Sequence, residues 1–83
     1  MFMNVNRYIT LADLDSGQGG KVVAFECGHK MAHRLESMGI RVGAVITKLT
    51  GYSLRGPISV KIGNTCLALG HGIANKIIVE PIK

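Results

Sequence analysis

The chain has no tryptophan and only two phenylalanines and two tyrosines among its 83 residues. A core without large rings has to be aliphatic, filled by Val, Ile, Leu and Met. The same scarcity works against proline-rich peptide recognition, which needs an aromatic-lined groove. It also works against nucleic-acid binding, since Tyr8 and Tyr52 are the only rings suited to stack on bases. Two cysteines, Cys27 and Cys66, are too few for a disulfide scaffold, which points to a reducing, cytoplasmic setting. Apolar runs stop at about four residues, as in Val22-Val23-Ala24-Phe25, where a bilayer span needs about twenty. Met1 to Arg7 lacks the basic start and apolar stretch of a secretory signal. Membrane association is therefore expected only through a partner. Acidic side chains are scarce as well. Five stand against ten Lys and Arg, a net charge of +5 that favours acidic partners. The cations are spread from Arg7 to Lys83 with no block of five or six, so they read first as a solvated surface.

What the chain does have is regular patterning in one domain. Met1 to Tyr8 shows no period and reads as a loose end, with a single domain over residues 9–83. Thr10 to Leu14 reads as one helical turn, with Thr10 as cap and Asp13 reaching back to it. Asp15 to Gly20 is glycine-rich and reads as a loop. Strands are expected over Lys21 to Glu26, Ala44 to Leu49, Pro57 to Ile62, Thr65 to Leu69 and Lys76 to Glu80, the last stopped by Pro81. In the third, Ile58, Val60 and Ile62 alternate with Ser59 and Lys61, one face buried and one wet. Gly63-Asn64 is a two-residue hairpin turn. Gly70 to Asn75 is a loop or a single helical turn, and Thr50 to Gly56 a loop. About five short strands with one helix are best served by curling into a barrel.

The most strongly specified stretch is Lys30 to Gly43. Met31, Leu35 and Met38 recur at i, i+4 and i+7, one face of a helix, and Gly39 follows where that helix should stop. With Met38 as the C-cap, Leu35 and Ile40 are the pair whose side chains meet in a Schellman ending. Met31, Leu35, Met38 and Ile40 are expected inward, and Gly43 is expected to turn the chain into the next strand. His33, Arg34 and Ser37 are left to the other side.

Cys27, His29 and His33 lie within seven residues, and thiolate with imidazole would suit zinc or a similar ion. Cys66 and His71 are further donors from elsewhere in the chain. No CxxC and no second paired motif accompany them. Ferrous iron held by oxygen would have only Asp13, Asp15, Glu26, Glu36 and Glu80 to draw on. Cys27 near His29 does not make a catalytic pair, because neighbours in sequence seldom meet in the needed geometry. Gly17-Gln-Gly-Gly20 lacks the Gly-Lys-Ser/Thr ending of a phosphate loop and precedes a strand. An enzyme is not expected.

Arg34-Leu35-Glu36-Ser37-Met38-Gly39-Ile40-Arg41-Val42-Gly43 resembles the central signature of the small ferrous iron transport protein A family, FeoA. That signature runs Arg-Leu, two variable residues, Met-Gly-Ile, then Pro-Gly after one residue; Val42 stands at the proline. Thr10 to Leu14 with Gly17 is similar to the family's opening. Leu54, Gly56, Pro57 and Ile58 are similar to its middle, and Leu67 to Leu69, Ala74 and Ile77 to Glu80 to its ending. The resemblance implies a mainly β fold, a small SH3-like β-barrel with one α-helix inserted between the first two strands. It implies a cytoplasmic accessory of the membrane ferrous iron transporter FeoB, acting by protein contact with that transporter's GTPase region. Lys30, Arg34 and Arg41 are the residues expected at that contact, and Leu35, Met38, Gly39, Ile40 and Gly43 are expected to be structural. No cofactor is required, and a homodimer is allowed. The other readings are a barrel that binds or senses zinc or ferrous iron through Cys27, His29 and His33, and a basic nucleic-acid-binding barrel.

Overall fold

The structure, a computed structural model, describes residues 8–50 and 56–82. The expectations for Met1 to Arg7 and for most of the Thr50 to Gly56 loop, Tyr52 and Leu54 included, lie outside the described residues. In chain order the elements are β1 (Ile9–Thr10), a 3-10 turn (Leu11–Asp13), β2 (Gly19–Phe25), α1 (His29–Ser37), β3 (Val45–Thr50), β4 (Ile58–Ile62), β5 (Thr65–Leu69), α2 (His71–Ala74) and β6 (Ile77–Ile82). All six strands join one antiparallel sheet in the order β1-β6-β2-β3-β4-β5. Six strands replace the five expected, the addition being the two-residue β1. The sheet curls around one aliphatic core but is not closed, since β1 and β5 remain its two ends.

The core draws on every layer. Leu11 and Leu14 come from the N-terminal turn, Leu35 from α1, Ile40 from the segment after it, Val22, Ile46, Ile58, Val60 and Leu69 from the sheet's inner face, and Ala74 from α2. Alternation along β4 is as the sequence predicts, with Ile58 and Val60 buried. The inner face of β6 adds Ile77 and Val79.

Beyond shifts of one residue at strand ends, four features differ from expectation, each for a physical reason. β2 starts two residues early, at Gly19, because Gly19 and Gly20 pair with β3 on one side and β6 on the other. Gly20 is there for closeness: a Cβ on it would sit 3.0 Å from the Val79 side chain and 3.2 Å from Leu14. β6 runs on through Pro81, which pairs with Gly20. Beyond Val79 it has, among the described residues, a neighbour on one side only, and a strand tolerates proline where its other side is open. Thr10 does not cap the N-terminal turn; its hydroxyl is buried with no partner among the described residues, and the residue is already committed to β1.

The fourth difference is Met38, which is 38% exposed and not part of the interior. The helix ends as a full Schellman motif. Gly39, at φ 94°, donates its N–H to the Glu36 carbonyl (3.0 Å), and Ile40 donates to the Leu35 carbonyl (2.9 Å). That reversal carries Ile40 beneath the last turn, where it is fully buried. Ile40 thereby takes the inward place that the i+7 spacing had assigned to Met38.

Candidate functional site

α1 is held to the sheet by few side chains. Leu35 is buried, Met31 and Ala32 are half-buried, and the remaining positions of the helix face outward. The outward set carries His29, Lys30, His33, Arg34, Glu36 and Ser37, all exposed. Ser37 donates its hydroxyl to the Arg34 carbonyl at 2.7 Å, closing the last turn. Arg41 follows the Schellman reversal and is exposed beside the helix end. Its carbonyl accepts the Ala44 N–H at 2.9 Å, so Arg41 to Ala44 form a turn with Gly43 at φ 97°. This turn is fixed on β2, because Gly43 donates to the Val22 carbonyl and Val22 donates to that of Ala44, both at 2.8 Å. Lys30, Arg34 and Arg41 are thus presented by a rigid support, on the side of the segment that the core does not use.

Two concavities flank the helix. One, of about 410 Å³, is lined by His33, Glu36, Ser37 and Arg41. It is open, and its side chains bring together a carboxylate, an imidazole, a hydroxyl and a guanidinium. The other, of about 430 Å³, is apolar and lies between the start of α1 and α2. Cys27, Met31 and Ile73 line it, with Gly28, Gly70 and Gly72 in its walls and Lys76 at hand.

The donors singled out for a metal part company here. Cys27 is half-buried in the apolar groove, whereas His33 lines the other concavity. His29 opens α1 and shares the i, i+4 spacing with His33, so two imidazoles remain neighbours on one exposed face. Among the described residues, no three His, Cys, Asp or Glu side chains come together in a way that could hold an ion. Cys66 is exposed on β5, and His71 sits on α2 with Asn75 at 3.4 Å from its Nδ1.

A charged residue also sits inside the fold, at a position that is usually apolar in the family the sequence resembles. Lys48 is 4% exposed on β3, pointing the same way as buried Ile46, while the apolar Leu49 faces out. Its ammonium donates to the carbonyls of Ala12 (2.9 Å) and Leu14 (2.7 Å) at the end of the N-terminal turn. Its backbone adds two more ties to the same loop, accepting from Gly17 at 2.6 Å and donating to Gln18 at 3.0 Å. Lys48 is therefore a structural cation that pins the N-terminal turn to β3. The strict alternation of β3 signalled its direction; its charge argued the other way.

Comparison with known proteins follows the same lines. A family model described as the FeoA domain matches residues 9–81. No curated protein matches the chain. Among solved structures, an iron uptake regulatory protein, FeoA, is 32% identical over 92% of this chain and 100% of its own, with a TM-score of 0.84. FeoA of Stenotrophomonas maltophilia, described as a procaryotic SH3 domain protein and complexed with zinc, is 25% identical, with a TM-score of 0.76. It covers 87% of this chain and 89% of its own. A manganese-dependent transcriptional repressor superposes over 95% of this chain and 44% of its own, with a TM-score of 0.82; at 24% identity it shows the shared fold alone. The expected small SH3-like β fold is thus the one adopted.

Proposed function

From the premise that the chain belongs to the FeoA family, associated with ferrous iron transport, we propose that it is a cytoplasmic accessory of ferrous iron uptake. It acts by contact with the membrane transporter FeoB, through the exposed side of α1 and the turn that follows. The observation that carries this reading is the division of labour within one segment. Leu35, Gly39 and Ile40 are spent on shape, and Lys30, Arg34 and Arg41 are left outward on a backbone fixed at both ends. Surface cations on a rigid support, in a chain of net charge +5, suit an acidic protein face. No helix among the described residues is long and apolar enough to cross a membrane, which agrees with a role exerted on a transporter by contact.

Arg34→Glu and Arg41→Glu should each abolish co-purification with the transporter's cytoplasmic region, with circular dichroism and melting temperature unchanged. Retention of binding after charge reversal at Lys30, Arg34 and Arg41 together would remove this surface from consideration. The contact requires no cofactor. Zinc or ferrous iron would find His29 and His33 as neighbouring donors on α1, with Cys27 apart from them in the apolar groove.

A further inference from the structure

α1 carries two rows of exposed side chains. His29 and His33 are four residues apart, and so are Lys30 and Arg34. Four residues advance a helix by about 6 Å and turn it by about 40° beyond a full circle, so each pair lies on one face. The imidazole row runs beside the cation row. The helix that carries both is pinned by buried Leu35 and by the reversal at Gly39 and Ile40. The two imidazoles are therefore set on a fixed backbone, on the side that the core does not use.

Two histidines at this spacing on one helix are the bidentate half of a site for zinc or a similar divalent transition metal. No donor of this chain completes it among the described residues. Glu36 lies near His33 and lines a concavity with it, yet no three His, Cys, Asp or Glu side chains come together around a point. Cys27 belongs to the apolar groove, and His71 sits on α2 beside Asn75. A metal held by two neutral imidazoles keeps its full charge and leaves about half of a tetrahedral shell open. Here it lies next to Lys30 and Arg34, and His29 stands at the positive end of the helix. The chain alone therefore holds it weakly. A carboxylate from outside removes both deficits, because it fills an open position and offsets the charge.

We infer that His29 and His33 form a two-imidazole site for a divalent transition metal, completed by a carboxylate of the acidic partner that docks on α1. The metal bridges the two proteins. It adds to a contact that Lys30, Arg34 and Arg41 make without it, and it does so from the neighbouring row of the same helix. The inference rests on the transporter contact proposed above, and it specifies a carboxylate within reach of the two imidazoles. Linkage makes the effect reciprocal: the factor by which metal tightens the contact is the factor by which the partner tightens metal binding.

The test uses the intact reduced chain, zinc and the transporter's cytoplasmic region. In the chain alone, zinc should move the NMR signals of the His29 and His33 ring nitrogens together and leave those of His71. Cys27→Ser should not alter that response, and His33→Asn, at an exposed site, should remove it with the melting temperature unchanged. With the transporter region present, zinc should tighten the association at least about fivefold, and a chelator should reverse the gain. His29→Asn and His33→Asn should each abolish that gain. Zinc taken up at Cys27, Cys66 or His71 instead, or ring signals unmoved at millimolar zinc, would overturn the inference. Zinc held by the pair with the association unchanged would overturn the bridge and leave the cation contact standing. No association with or without zinc would overturn the contact and the bridge together, while the paired ring shifts would still report the two-imidazole site.

Discussion

A lysine on the inner face of a strand needs a reason, and at Lys48 the reason is the pair of carbonyls at Ala12 and Leu14. A buried ammonium is tolerable only when its donors are taken up. Removing it exposes the same two acceptors to an apolar interior, so the cost falls on both sides of the contact. Lys48→Ala should lower stability by about 2–4 kcal/mol, and Lys48→Met, which restores volume but no donor, by about 1–3 kcal/mol. Urea unfolding with an unchanged m-value reads both. Gly20 is the complementary case, a position defined by absence. Gly20→Ala should cost about 1–3 kcal/mol, because the new methyl must displace Val79 or Leu14. Neither role could be seen in the chain alone. The Lys48 acceptors lie more than thirty residues away, and Gly20 sits in a run of glycines that reads as a loop until β6 is laid beside it.

At the scale of elements, what was legible was what is local. The helix stop at Gly39 needs only residues 35 to 40, all within one turn and its reversal, and it formed as the sequence predicts. The Gly63-Asn64 hairpin is equally local, and Thr65–Leu69 has the expected bounds. Met38 was misplaced because both it and Ile40 were assigned inward places, and Ile40, returning beneath the last turn, fills the space there. The candidate site divides the same way. The exposure of Lys30 and Arg34 followed from the helix period, whereas that of Arg41 depends on the turn after the helix stop, and the separation of Cys27 from His33 on where α2 packs. The turn at Arg41 to Ala44 invites a direct check. Val42 occupies its second position, is 61% exposed, and precedes a glycine at positive φ, the arrangement of a type II turn that favours proline there. Val42→Pro should stabilise the fold by about 0.4–1 kcal/mol through the unfolded chain, seen as a higher melting temperature with transporter binding unaltered.

For the whole molecule, the division is between surface and topology. The charge balance and the single small domain were countable, and so was the lack of aromatic platforms. The sheet order was not, since it joins β2 to β6, strands separated by most of the chain. No hydrophobic pattern specifies that pairing. With a net charge of +5, the proposed contact with an acidic surface should weaken as salt rises, which a salt titration of transporter binding reads.

The place of β6 in the sheet has a bearing on how the protein comes into being. Among the described strands, the sixth in chain order is inserted between the first and the second. A chain emerging from the ribosome can form the β3-β4-β5 meander early, since each strand there pairs with its successor. It cannot close its core over Leu11, Leu14 and Val22 until β6 is available to pair with β1 and β2. Closure of the core thereby waits on its most distant strand pairing, the slow step expected of non-local contacts.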